Sequence, residues 1–259
     1  MTPESLLAGV GIGLAGGLSS GLLGVSPGGA LVVFSVLLLG AEQHVAQGVS
    51  LVAQIPPTGL TGVRHYRLHG MRSHKGWIAL LLAGSLVGSV FGALAASCVE
   101  PGALRWAYVS YLLALDGLLI VRQKRGASTS SNPEIEPNPH WTSLLAVGVI
   151  AGLSSGFLGI GGGLATTVGL TVALRVPQHQ AQMISVALSL IPTTALSAWV
   201  YWREGRMASW LIAVIFGLQF GMDIGARIAI RLSSQTLKGT MIILVASLTA
   251  YMTCMALRR

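Results

Sequence analysis

The chain repeats itself. Sliding it by 135 positions lays Gly17-Leu18-Ser19-Ser20-Gly21-Leu22-Leu23-Gly24 onto Gly152-Leu153-Ser154-Ser155-Gly156-Phe157-Leu158-Gly159. The register then carries Gln43-His44 onto Gln178-His179, Ala46-Gln47 onto Ala181-Gln182, Ser50 onto Ser185, Pro57-Thr58 onto Pro192-Thr193 and Tyr66 onto Tyr201. After a two-residue slip it continues at an offset of 133, where Trp77 meets Trp210, Gly84, Gly88 and Gly92 meet Gly217, Gly221 and Gly225, and Leu104 meets Leu237. A duplicated, glycine-rich, apolar chain points to a transporter, because two related halves can rock about a site placed between them.

Composition agrees. Hydrophobic residues make up 53% and charged residues 9% of the chain, against roughly 25% charged in a soluble domain. Apolar segments recur at 5–25, 44–63, 77–98, 103–121, 142–160, 180–202, 208–230 and 237–257, each near the roughly 20 residues that span a bilayer. The fold expected is an all-α polytopic membrane protein of about eight transmembrane helices, in two homologous four-helix repeats with glycine-rich broken helices. Residues 1–122 form the first repeat, 123–140 a cytoplasmic linker and 141–259 the second. The linker carries Lys124, Arg125, a Ser/Thr cluster and Pro133, Pro137 and Pro139, a composition that buries too little apolar surface to fold alone.

The formal charge of +8 would suggest nucleic acid in a soluble chain. Here Lys and Arg gather at segment ends, as the positive-inside rule places them. Four crossings per half with both termini inside puts Arg64 to Lys75, the linker, Arg203, Arg206 and Arg258-Arg259 in the cytoplasm, and leaves Arg227, Arg231 and Lys238 as misfits. Cys98 and Cys254 form no CxxC pattern and say nothing about redox compartment. Met1-Thr2-Pro3-Glu4 lacks the basic start of a cleaved signal, so the first segment is expected to be retained.

From Ser5 to Gly40 no residue is charged, and one straight helix of that length would run ~54 Å against a core of about 30 Å. The chain must break, at Gly24-Val25-Ser26-Pro27-Gly28-Gly29 and again at Gly159-Ile160-Gly161-Gly162-Gly163. A half-helix after each break makes the repeats parallel; a second full crossing makes them inverted. Unwound backbone at membrane depth is tolerated where it is buried or lines a cavity, and freed amides at the start of a half-helix suit an anion. The competing reading is a kink with no ligand. Glycines spaced by four, at Gly9, Gly13, Gly17 and Gly21, at Gly84, Gly88 and Gly92, at Gly148, Gly152 and Gly156, and at Gly217, Gly221 and Gly225, serve close helix packing instead.

Gln47, Ser50, Gln54 and Thr58 share one helical face, and Gln182, Ser185, Ser189 and Thr193 repeat it. They donate either to a substrate or between helices, the latter worth ~0.6–2 kcal/mol each. Pro57 and Pro192 kink that helix. Asp116 and Asp223 lie within apolar runs and are candidates for coupling, although Asp223 has Arg227 four residues on as an ion-pair partner. His44 and His179 are mirrored and could titrate near neutrality; helix-start capping is their plainer role. Gly11 to Gly16 fits G-x-G-x-x-G and Gly17 to Gly21 fits G-x-S-x-G, but neither has the strand its chemistry needs. No catalytic residues, metal ligands or cofactor are expected.

The stretch Gly-Leu-Ser-Ser-Gly-x-Leu-Gly-Ile-Gly-Gly-Gly at 152–163, its weaker copy at 17–29, the Gln/Ala/Ser helix after each, and Gly225-Ala226-Arg227 resemble the sulfite exporter TauE/SafE family of membrane permeases. The resemblance covers nearly the full chain. It implies a bacterial inner-membrane protein exporting sulfite or small organosulfonates. This chain departs from the pattern at Ser26-Pro27, where Pro27 removes one amide donor, and at Asp223. The expectation is a secondary exporter of a small sulfur-containing anion. The amides of Gly24, Ser26, Gly28, Gly29, Gly159, Gly161, Gly162 and Gly163 and the side chains of Gln47, Ser50, Gln182 and Ser185 would hold it, with Asp223, His44 and His179 as coupling candidates. An anion channel, a cation transporter using the carboxylates and a non-transporting scaffold are the alternatives, and the oligomeric state stays open.

Overall fold

The computed structural model describes residues 3–23, 26–57, 75–126, 139–229, 243, 246–254 and 257, with the backbone alone at 23, 115–116, 118–126, 178–179, 182, 226 and 229. These residues form helices and the turns between them. The first long helix, α1, spans Pro3–Leu23, and after the first glycine break come α2, Gly28–Leu39, and α3, Gln43–Ala53. Two long helices follow, α4 over Lys75–Ser97 and α5 over Pro101–Gly126. The pattern then recurs with α6, Trp141–Leu158, α7, Gly163–Val168, which widens into a π-turn at Gly169–Ala173, and α8, Gln178–Leu188. Then come α9, Ala195–Arg203, α10, Leu211–Ala229, and helical residues 246–254.

Both expected breaks are present. Helix α2 is 12 residues long, ~18 Å at 1.5 Å per residue, and residues 163–173 are similarly short. Neither reaches across a hydrocarbon core of about 30 Å. Among the described residues three helices are long and apolar enough to cross, Pro3–Leu22, Lys75–Ser97 and Trp141–Leu158, with Gly28–Leu39, Gly163–Ala173 and Leu211–Gly225 as shorter apolar helices. The expected continuous segment 180–202 is interrupted: α8 stops at Leu188 and α9 resumes at Ala195. Pro192 lacks an N–H and its ring clashes with the carbonyl four residues back, so the helix ends there. In the first half α3 likewise ends at Ala53, ahead of Pro56 and Pro57. The basic segment 58–74, most of the linker and residues 237–242, 244, 245, 255 and 256 lie outside the described residues.

The glycine stripes join one half to the other. Helix α1 runs beside α10 in the same direction, Gly13 against Gly217 and Gly17 against Gly221; a Cβ on Gly13 would lie 2.7 Å from the Leu218 amide nitrogen and 2.9 Å from the Gly217 Cα. Helix α4 runs beside α6 in the same way, where a Cβ on Gly84 would lie 2.6 Å from the Leu145 oxygen and one on Gly148 2.6 Å from the Leu81 oxygen. Backbones this close leave no room for any side chain, which is what spacing by four supplies on a helix face. The two seams flank a core that includes Leu31, Val49 and Val214 on one side and Leu81, Leu144 and Ile184 on the other. The outward faces carry exposed Phe91, Ile150, Trp199, Phe216 and Phe220, an apolar exterior that a bilayer, not water, solvates.

Candidate functional site

The glycine breaks of the two halves meet. Helix α6 ends at Gly159 in the left-handed conformation, φ 69°, its N–H bonded to the Ser155 oxygen at 2.8 Å, and Gly161 is left-handed again at φ 77°. Two such residues in three positions turn the chain sharply, at a conformation that costs a residue with a Cβ roughly 1–2 kcal/mol. The turn presents its carbonyls to the first half. Ser26 Oγ donates to Gln54 Oε1 at 2.5 Å and lies 3.0 Å from the Ile160 oxygen. Ser50 Oγ donates to the Gly159 oxygen at 2.7 Å and lies 3.2 Å from the Gly28 oxygen. Gln54 Nε2 closes the group onto the Ser50 oxygen and hydroxyl at 2.9 and 3.1 Å. In the second half Ser185 Oγ donates to the Gly163 oxygen at 2.9 Å, the counterpart of the Ser50–Gly28 contact displaced by 135 positions.

This geometry accounts for the departure at Ser26. A Cβ on Gly161 would collide with Ser26 Oγ and Gln54 Oε1, and one on Gly163 would sit 3.0 Å from Ser26 Cβ. Ser26 and Gly161 occupy equivalent places in the repeat and face each other where the breaks meet. Only one can carry a side chain. Gln54 is in the same position relative to its counterpart, the smaller Ser189, which bonds the Val186 oxygen of its own helix at 2.7 Å.

Beside the meeting point, Gln47 is fully buried and its Oε1 accepts from Tyr201 Oη at 3.0 Å. Tyr201 Oη also reaches the Gly156 oxygen at 3.2 Å. The Gln47 Nε2 is buried without a hydrogen-bond partner among the described residues. One turn earlier on α3, Gln43 is fully buried with neither Nε2 nor Oε1 partnered there. Buried amides without partners are rare, because each costs the desolvation of a strong donor. Gln43 and Gln47 lie one turn apart, so the two carboxamides share one face of α3.

The remaining expected residues divide. Gly28 and Gly29 open α2, whose N-cap is Pro27 with no side-chain cap, and Tyr108 Oη on α5 fixes the Gly29 oxygen at 2.7 Å. Gly162 has room, with nothing nearer than 3.5 Å to an added Cβ. Gly24 and the side chains of Gln182, His179 and Asp116 lie outside the described residues. His44 is buried; its Nε2–H donates to the Ala96 oxygen at 3.1 Å in the last turn of α4, and its Nδ1 lies 3.6 Å from Glu42. It thereby satisfies a helix-end carbonyl. Asp223 bonds Arg227 at 2.7 Å, the two side chains 45% and 74% exposed, on an outward part of α10. Among the described residues no group of His, Cys, Asp or Glu could hold a metal ion.

Sequence reasoning passed over Tyr108, Tyr201 and Gln43 as site residues. For Tyr201 and Gln43 the duplication was the available signal, since Tyr201 mirrors Tyr66 and Gln43 mirrors Gln178. Tyr108 has no such mark, and only the packing of α5 against α2 reveals it.

Comparison with known proteins agrees with this arrangement in class. The family described as sulfite exporter TauE/SafE matches residues 9–252. The chain is 29% identical over 249 residues to a probable membrane transporter protein of Xylella fastidiosa strain 9a5c, covering 90% of this chain and 88% of that one. It is 27% identical over 219 residues to the probable membrane transporter protein YdhB of Bacillus subtilis strain 168, covering 82% and 85%.

Proposed function

The chain belongs to the sulfite exporter TauE/SafE family, and from that premise we propose that it is a secondary carrier exporting a small sulfur oxyanion, sulfite or an organosulfonate, across a bacterial inner membrane. Its site lies where the two glycine breaks meet. The observation that carries this reading is the pair of fully buried carboxamides at Gln43 and Gln47, whose Nε2 atoms have no hydrogen-bond partner among the described residues. The Gln47 Nε2 points a neutral donor at an acceptor, and the uncapped first turn of α2 adds amides at the positive end of a helix dipole. Ser50 and Ser185 spend their protons on loop carbonyls, so in this proposal they set the loops, while Gln47, and Gln182 at its counterpart, hold the anion. Neutral donors bind an oxyanion weakly enough to let it leave. The full architecture we infer is eight crossings in two repeats, with α2 and residues 163–173 as half-helices that do not cross.

The test is flux of sulfite, sulfoacetate, thiosulfate and chloride in liposomes holding the purified protein, with and without a pH gradient. Saturable, trans-stimulated movement of a sulfur oxyanion is the expected result, lost on replacing Gly161 and Gly162 together by Leu while the protein still inserts. Flux that neither saturates nor shows counterflow would make the protein a pore. Absence of any oxyanion flux from a folded protein would overturn the reading.

A further inference from the structure

We propose that Arg105 is an anion-binding residue of the permeation path, a cationic position that receives a small oxyanion beside the glycine breaks; this rests on the transport reading above. Arg105 is 7% exposed, and its Nε is buried without a hydrogen-bond partner among the described residues. The ion pairs there are His44 with Glu42, Arg206 with Glu204 and Arg227 with Asp223. Arg105 belongs to none of them. A guanidinium cannot shed its proton, and a buried Nε–H with no acceptor carries an uncompensated desolvation cost. An incoming anion relieves that cost. The helix gives it no other reason to be there, since Arg105 lies in the second turn of α5, near the positive end of the helix dipole, where a cation gains nothing.

Its place on α5 puts it beside the site. Leu104, Arg105, Tyr108, Val109 and Leu112 are the buried stripe of the helix. Leu104 packs in one cluster with Tyr201, which orients Gln47, and Tyr108, ~4.5 Å further along the axis, bonds the Gly29 oxygen. Side chains on a helix lean toward its N-terminus, so Arg105 reaches from this stripe toward the Pro101 end. A planar fork of donors fits two oxygens of a sulfite or sulfonate group at once. The sequence supports a cation here independently: at the offset of 133 that brings Leu104 onto Leu237, Arg105 falls on Lys238. Each half therefore carries one positive charge after its mirrored leucine, a regularity that segment-end charge counting leaves unexplained.

The experiment compares wild type, Arg105→Gln and Arg105→Lys as full chains. Sulfite counterflow is measured in liposomes with and without anionic lipid, and melting temperature in detergent with and without sulfite. We expect Arg105→Gln to raise the KM for sulfite about tenfold or more, to melt without sulfite no lower than wild type, because a buried Nε–H with no acceptor has been removed, and to lose the stabilisation by sulfite. Arg105→Lys keeps the charge without the fork and raises KM several-fold, and it carries the test should the glutamine variant fail to insert. A variant that melts lower with KM unchanged makes Arg105 structural, and a KM effect confined to anionic lipid makes the ligand a lipid headgroup; either overturns the proposal. A wild type that moves no oxyanion sinks the transport reading itself, whereas variants that match a sulfite-transporting wild type sink only the role of Arg105.

Discussion

Gly161 and Ser26 show how a repeated sequence is forced to differ at single residues. Both occupy the same place in their halves, and the two places touch. Replacing Gly161 by Ser should lower stability by roughly 1–3 kcal/mol, combining a left-handed φ with a collision. Adding Ser26→Gly should recover part of that loss, and a thermal double-mutant cycle in detergent measures the coupling; strict additivity would refute the facing geometry. Gly162→Ala, with nothing near its Cβ, should melt close to wild type. A second residue tests backbone strain alone. Arg175 has φ 55° at the position equivalent to Gly40, φ 59°, which closes α2 as a left-handed C-cap. Arg175→Gly should therefore raise stability by about 1 kcal/mol, relieving the left-handed penalty at an exposed turn, and an unchanged melting temperature would show that no strain is stored there.

Among the helices, α1 and α4 carry the packing through glycine, and neighbouring glycines on one helix do different work. Gly13 faces α10 at backbone contact, whereas an added Cβ on Gly11 meets nothing within 4 Å. Gly13→Ala should thus weaken the α1–α10 seam and lower the melting temperature, while Gly11→Ala should hold or gain up to about 1 kcal/mol through helix propensity. Equal effects of the two would mean that the seam is not where the packing energy lies. The stripes were legible as packing faces from spacing alone. Their partners were not, because a spacing of four specifies a smooth face and says nothing of which smooth face it meets.

For the whole molecule, the seams change what can move. Each seam joins a helix of one half to a helix of the other, so α1 with α10 and α4 with α6 are the tightly packed units, and rocking of the sequence halves as separate bodies would tear both. Motion between the two seams would not. Gly9→Ala, whose Cβ would lie 3.0 Å from the Ala213 Cβ, should lower the melting temperature by straining this seam yet leave sulfite flux at least half intact. Loss of flux in that variant while it still inserts would instead place the moving boundary at this seam. The exposed Asp223–Arg227 pair stands outside the breaks, and Asp223→Asn should reduce flux by less than twofold; complete loss would favour a cation carrier.

The sequence by itself determined the membrane environment, through composition, and the broken helices after α1 and α6, because glycines crowded at 159–163 and 24–29 cannot sustain a helix. It also marked Gln47 and Ser50 as one polar face, since helical periodicity is local. Only the tertiary structure decided that the two breaks touch, that Ser50 is used up on a Gly159 carbonyl, that the glycine seams cross between halves, and that Gln47 Nε2 and Arg105 Nε are buried with no partner among the described residues. Those facts depend on which surfaces meet between residues more than a hundred positions apart, and local pattern encodes the character of a surface without naming its partner.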